Sequence, residues 1–199
     1  VLILSLVIPG CGESGGKTAR FSFGQWSGDW LTIYVPKILM EEELGYTTEI
    51  VELSVPAIWT ALGAGETDIW TDSWMPNQED FQAEYAEVTQ SLGVIYGGPD
   101  DFALQFWAVP REVSEQYGIT SVTDLDNPEF AELFDVDGDG IGDIMGCDSA
   151  WKCAEMIDTE IADYGLDELY EQKYGAEAMM MAAIEGYMKT VSYTHLTLP

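Results

Sequence analysis

The chain of 199 residues carries 7 Lys and Arg against 36 Asp and Glu, a formal net charge of −29 with its single histidine neutral. A field of that sign repels nucleic acid and anionic lipid, whose binders gain affinity by setting Lys and Arg against phosphates. Hydrophobic residues at 47% and aromatic residues at 12% exclude an acidic disordered tail, so the chain packs a core, as one large domain or two smaller lobes.

Residues 1–11, from Val1 to Cys11, are an apolar run too short to span a bilayer and suited to the end of a signal peptide. Gly10-Cys11 is similar to a lipobox, which makes Cys11 a candidate lipid anchor, although Pro9 stands where a small residue is usual. Export follows, with the membrane met only through that anchor. Residues 12–20 read as a Gly/Ser tether. Two motifs in this stretch fail. A phosphate loop ending in Gly16-Lys17-Thr18 needs glycine where Cys11 stands, and Gly12-Glu13-Ser14-Gly15-Gly16 fits G-x-S-x-G with no helix-forming stretch after it.

From Ser27 the pattern becomes α/β. Ser27 or Asp29 caps a helix running through Leu31, Ile33, Val35 and Ile38 to Leu44 and Gly45, and Pro36 within it predicts a kink or a late start. Strands are expected over 47–53 and 68–73, with a short helix over 56–64 between them. A second unit opens with an extended segment at 102–109 and a helix at 110–117. It continues through 122–125 and 128–134, and ends in a long helix over 167–188. This alternation predicts sheets with crossover helices.

Asp135, Asp137, Asp139 and Asp143 fall in Asp-Val-Asp-Gly-Asp-Gly-Ile-Gly-Asp, which opens like the loop of an EF-hand. The twelfth position is Gly146 instead of the bidentate glutamate, so the loop is read either as a Ca²⁺ site or as a tight acidic turn. Apart from that possible Ca²⁺, no cofactor is expected. In an exported protein the close pair Cys147 and Cys153 favours a disulfide; zinc needs two more soft ligands. Of seven tryptophans, Trp74 stands at the end of an expected strand and Trp151 lies between the two cysteines. Open α/β sheets bind ligands at strand C-termini, and indole faces there suit a quaternary ammonium, which has no N–H to donate. For catalysis the inventory is poor: His195 lies in the tail, and no nucleophile has a recognisable base. A binding protein is favoured over an enzyme.

Leu44-Gly45-Tyr46, Trp59-Thr60-Ala61-Leu62-Gly63-Ala64-Gly65, Trp74-Met75-Pro76, Tyr117-Gly118-Ile119-Thr120, Leu133-Phe134-Asp135 and Gly146-Cys147-Asp148-Ser149-Ala150-Trp151-Lys152-Cys153 occur in the order of a known family. The chain resembles glycine betaine/proline betaine substrate-binding proteins of ABC transporters. The resemblance implies a type II periplasmic-binding-protein fold of two α/β lobes, here 21–101 for the first part of lobe 1 and 102–190 for part of lobe 2, with 191–199 a foreign tail. It implies that Trp74 and Trp151 wall a box around a trimethylammonium group, and that the amides of Lys152 and Cys153 hold the ligand carboxylate. Gln78 stands where some members have a histidine. A third wall tryptophan, expected after the last helix, does not occur.

The expectation is an extracytoplasmic receptor that captures a betaine-like osmolyte and delivers it to an ABC permease. The competing reading is a calcium-stabilised extracellular interaction domain built on Asp135–Asp143.

Overall fold

A computed structural model describes residues 16–95 and 105–194. The expectations for Cys11, for His195 and for residues 102–104 lie outside this set. β1 (Thr18–Phe23) forms because Ala19, Phe21 and Phe23 alternate toward one core, where each is buried. Thr18 to Arg20 are therefore part of a strand and not of the tether expected over 12–20. β1 pairs in parallel with β2 (Thr47–Glu52), Phe21 opposite Ile50. The expected strand over 68–73 reduces to a single bridge from Ile69 to Phe21, flanked by the ion pair of Arg20 with Asp68 at 2.9 Å.

Between β1 and β2 runs α1 (Ser27–Glu42), which starts at Ser27 and passes Pro36 without ending there. It lays Ile33 and Met40 on the core and leaves Leu31, Val35 and Leu39 exposed. The turn before it is tight. Gln25 takes a φ of 70°, a left-handed conformation that costs an L-residue about 1–2 kcal/mol. A Cβ on Gly24 would stand 2.2 Å from the Trp26 ring, so glycine is what lets the indole lie flat on the backbone. Asp29, fully buried in the first turn of α1, accepts the Gly24 N–H at 2.5 Å. Burial pushes its carboxyl up to about 6; the Gly24 amide opposes that rise and the negative charge of Asp72 adds to it. α2 (Val55–Ala64) then buries Ile58 and Trp59 and stops at Gly65 in the left-handed conformation. α3 (Glu79–Glu84) packs Phe81 parallel to Trp59 with ring centroids 6.3 Å apart.

Residues 105–110 are in no regular structure, where the extended segment was expected. α4 (Arg111–Tyr117) follows, then a 3-10 turn (Val122–Leu125) that Ser121 and Asp124 cap reciprocally, and α5 (Pro128–Phe134), capped by Asn127. β3 (Gly142–Met145) pairs in parallel with β4 (Tyr170–Lys173), and α6 (Lys152–Asp163) crosses between them. The helix expected over 167–188 is thus interrupted. Tyr170 and Gln172 turn inward with the period of a strand, and α7 (Glu177–Thr194) starts after them. Val113, Ile119, Leu125, Ala131, Ile161, Leu166 and Tyr170 form the core of this part of the chain.

The acidic loop between α5 and β3 is organised by its own backbone and by one lysine. Asp135 accepts the amides of Gly138, Asp139 and Gly140, and Asp139 accepts that of Ile141. Asp135, Asp137 and Asp143 bring carboxylate oxygens within 4.8 Å of one another, as do Asp137, Asp139 and Glu171. The Lys173 ammonium joins the two groups, 2.8 Å from Asp137 and 3.1 Å from Asp143 and also bonded to Glu171. These hydrogen bonds hold it well above the usual lysine range.

If Lys173 supplies the positive charge here, a thermal melt should be unchanged by chelator. Lys173→Met should then melt lower and become the form that Ca²⁺ stabilises. For Asp29 the sign follows from a folded value raised from 3.8 to about 6: its ionised form is disfavoured in the fold, so its penalty is full above pH 6 and fades as pH falls toward 4. Asp29→Asn should raise the melting temperature at neutral pH, and the gain should vanish near pH 4.

Candidate ligand-binding site

A cavity of about 230 Å³ lies between the two lobes. Its first-lobe wall comes from Trp26, at the turn into α1, from Val55, and from Trp74, Asn77 and Gln78 between the bridge at Ile69 and α3. The second-lobe wall is Gln105, Trp151, Lys152, Cys153 and Glu177. The structure therefore brings together all five residues expected to contact ligand: Trp74, Gln78, Trp151, Lys152 and Cys153. The four aspartates of the acidic loop are not among the residues lining it.

Three indoles face this space. Trp26 meets Trp151 edge to face, centroids 5.6 Å apart at 84°, across the lobe boundary. Trp26 also donates its Nε1–H to Asp72, which is 2% exposed, at 2.5 Å. Trp74 completes the wall with 38% of its surface open.

The polar end is the start of α6. Trp151 is its N-cap residue and no side chain caps the helix, so the first-turn amides of Lys152 and Cys153 are donors with the helix dipole behind them. A disulfide joins Cys147 to Cys153, with Cα atoms 6.5 Å apart, and closes the loop that delivers Trp151 and these amides together. The Lys152 ammonium turns back along its own helix to Glu155 at 2.7 Å. Gln78 is buried, and its Oε1 accepts from Trp59 Nε1 at 3.0 Å and from Ser73 Oγ at 3.3 Å. Its Nε2 is the group left to donate to a ligand.

Glu177, at the start of α7, spans the lobes. It accepts the Ser27 N–H at 2.6 Å and the Ser27 hydroxyl at 2.9 Å. Trp26 and Glu177 were missed in the sequence. Trp26 follows a strand hidden next to a Gly/Ser stretch, and once β1 is recognised it occupies a strand C-terminus, where ligands bind. Glu177 carried no sequence signal, because an expected continuous helix hid its place as a first-turn residue.

The family model described as the substrate-binding domain of the ABC-type glycine betaine transport system matches residues 17–191. Over 154 residues the chain is 30% identical to the glycine betaine/proline betaine-binding periplasmic protein of Salmonella typhimurium, covering 76% of this chain and 45% of that one. It is 31% identical over 154 residues to the glycine betaine-binding periplasmic protein OusX of Dickeya dadantii, with the same shares, 76% and 45%. The chain thus spans about half the length of the curated relatives it matches. Among solved structures it is similar to the Borrelia burgdorferi ProX protein, at a TM-score of 0.68 and 20% identity over 87% of this chain and 60% of that one. It is also similar to lactococcal OpuAC in its closed form with glycine betaine, at 0.63 and 16%, covering 87% and 61%. These likenesses give the type II periplasmic-binding-protein fold. The calcium-stabilised interaction domain finds no support among them. With the family model matched over nearly its whole described length, the chain belongs to the substrate-binding proteins of ABC-type glycine betaine transport systems.

Proposed function

We propose that this protein captures a betaine-like zwitterion between its lobes and delivers it to an ABC permease at the extracytoplasmic face of the membrane, with Cys11 as its lipid anchor. The observation that carries this reading is the convergence of Trp26, Trp74 and Trp151 on one cavity that the first-turn residues of α6, Lys152 and Cys153, also line. A trimethylammonium group cannot donate an N–H bond, and its diffuse charge is held by the faces of aromatic rings. A carboxylate two bonds away has its partners in the Lys152 and Cys153 amides and in Gln78 Nε2, all neutral donors. The ligand thus enters with no net charge and meets no basic side chain that it must displace from Glu155.

In this arrangement Trp26 stands as a third aromatic wall beside Trp74 and Trp151. Closing the lobes brings Trp26 onto Trp151 and Ser27 onto Glu177 in one movement, so ligand capture and closure are the same event.

Calorimetry with glycine betaine on the protein as encoded should show binding that Trp74→Ala and Trp26→Ala each weaken by about 1 kcal/mol or more. Unchanged affinity in both would end the assignment of the box. Choline, which lacks the carboxylate, should bind more weakly than betaine; equal affinities would remove the α6 amides from the site. Replacing Cys147 and Cys153 together by serine should cost about 2 kcal/mol of stability, from the loop-closure entropy of so short a loop. In chemical unfolding it should also weaken betaine more than it weakens choline in titration, because the loop presents the carboxylate donors.

A further inference from the structure

The Trp26 wall does not stand alone. Buried at its edge, and not among the residues lining the cavity, Asp72 accepts the indole N–H, and Asp29 is buried nearby, where it feels the negative charge of Asp72. A second indole, Trp70, meets Trp26 edge to face at 6.3 Å. Burying carboxylate charge is expensive, and a hydrogen bond to a charged acceptor is stronger than the one a backbone carbonyl or an amide oxygen would make to the same indole. Here a carboxylate oxygen sits 2.5 Å from the indole nitrogen, at the edge of a ring that lines the cavity. A carboxylate that accepts an indole N–H also pushes electron density onto the ring, which deepens the negative face that attracts a cation. In a water-poor layer that field is screened far less than at the surface.

We infer that Asp72 is a specificity-determining residue acting through Trp26: it makes the wall select positive charge and not merely the shape of three methyl groups. This rests on the reading of the cavity as a quaternary-ammonium box, which it deepens. Asp72 does not touch the ligand; it is a positioning and charge-setting residue.

The discriminating pair of ligands is glycine betaine and tert-butylacetic acid, in which carbon replaces the ammonium nitrogen and the carboxylate is unchanged. Titration calorimetry on the protein as encoded should find betaine preferred. In Asp72→Asn, which retains an oxygen acceptor for the indole, betaine affinity should fall about fivefold or more while that of the isostere changes less than twofold. Trp26→Phe keeps a ring and loses the N–H; on that background Asp72→Asn should have little further effect on the ratio. Thermal melts confirm that each variant is folded, and the Trp26→Phe comparison serves if Asp72→Asn is not.

Equal loss of both ligands in Asp72→Asn would mean that Asp72 only holds the ring in place, and would overturn the inference while leaving the box intact. An unchanged ratio would overturn it equally. If the wild-type protein binds neither compound, the receptor reading fails and this inference with it.

Discussion

An edge-to-face contact between Trp26 and Trp151 joins two lobes whose cores are otherwise built from separate residues. Nearly everything of interest is arranged to make that contact. Gly24 gives the first indole room, Gln25 accepts an unfavourable backbone angle to aim it, and Asp72 takes its N–H. On the other side the Cys147–Cys153 bridge pins the loop that presents the second indole. Behind these two rings the aromatic contacts continue from Trp26 to Trp70, from Trp70 to Trp59, and from Trp59 to Phe81. The heavy tryptophan content of the chain is therefore largely one connected wall, with the ligand cavity at its exposed end.

The excess of acid is handled locally. Arg20, Lys37, Lys152 and Lys173 each pair with at least one carboxylate, and Lys17 lies over the Tyr46 ring. Such exposed pairs contribute little to stability one by one. Their arrangement matters more, because Glu155 occupies the ammonium of Lys152, the one basic residue among the described residues lining the cavity. The donors that remain there are backbone amides and the side-chain amides of Asn77, Gln78 and Gln105, none of which carries a formal charge.

Much of the fold could be read from residue pattern alone. Gly45 and Gly65 are read as the stops of the first two helices, and the helices over 27–42, 55–64 and 111–117 stand close to where the pattern expects them. The losses have physical causes. β3 and β4 are four residues each, too short for a period of two to register, and β4 sits in a stretch rich in helix formers. β1 was lost to the glycines before it, and with it Trp26. Of the cavity residues, Trp74 and Trp151 are legible by their place after an expected strand and between two cysteines, while Gln78, Lys152 and Cys153 follow only from the family resemblance. Trp26 and Glu177 depend on how the two lobes meet, which no local pattern encodes.

The bond between Glu177 and Ser27 has one further consequence. The contact pairs a carboxylate with the N–H and hydroxyl of a neutral residue, and neither donor carries a formal charge that salt could screen. An ion pair in the same exposed position would weaken as the Debye length shrinks. This link between the starts of α1 and α7 is thereby separated from ionic strength, as a clasp made of neutral donors and not of opposite charges.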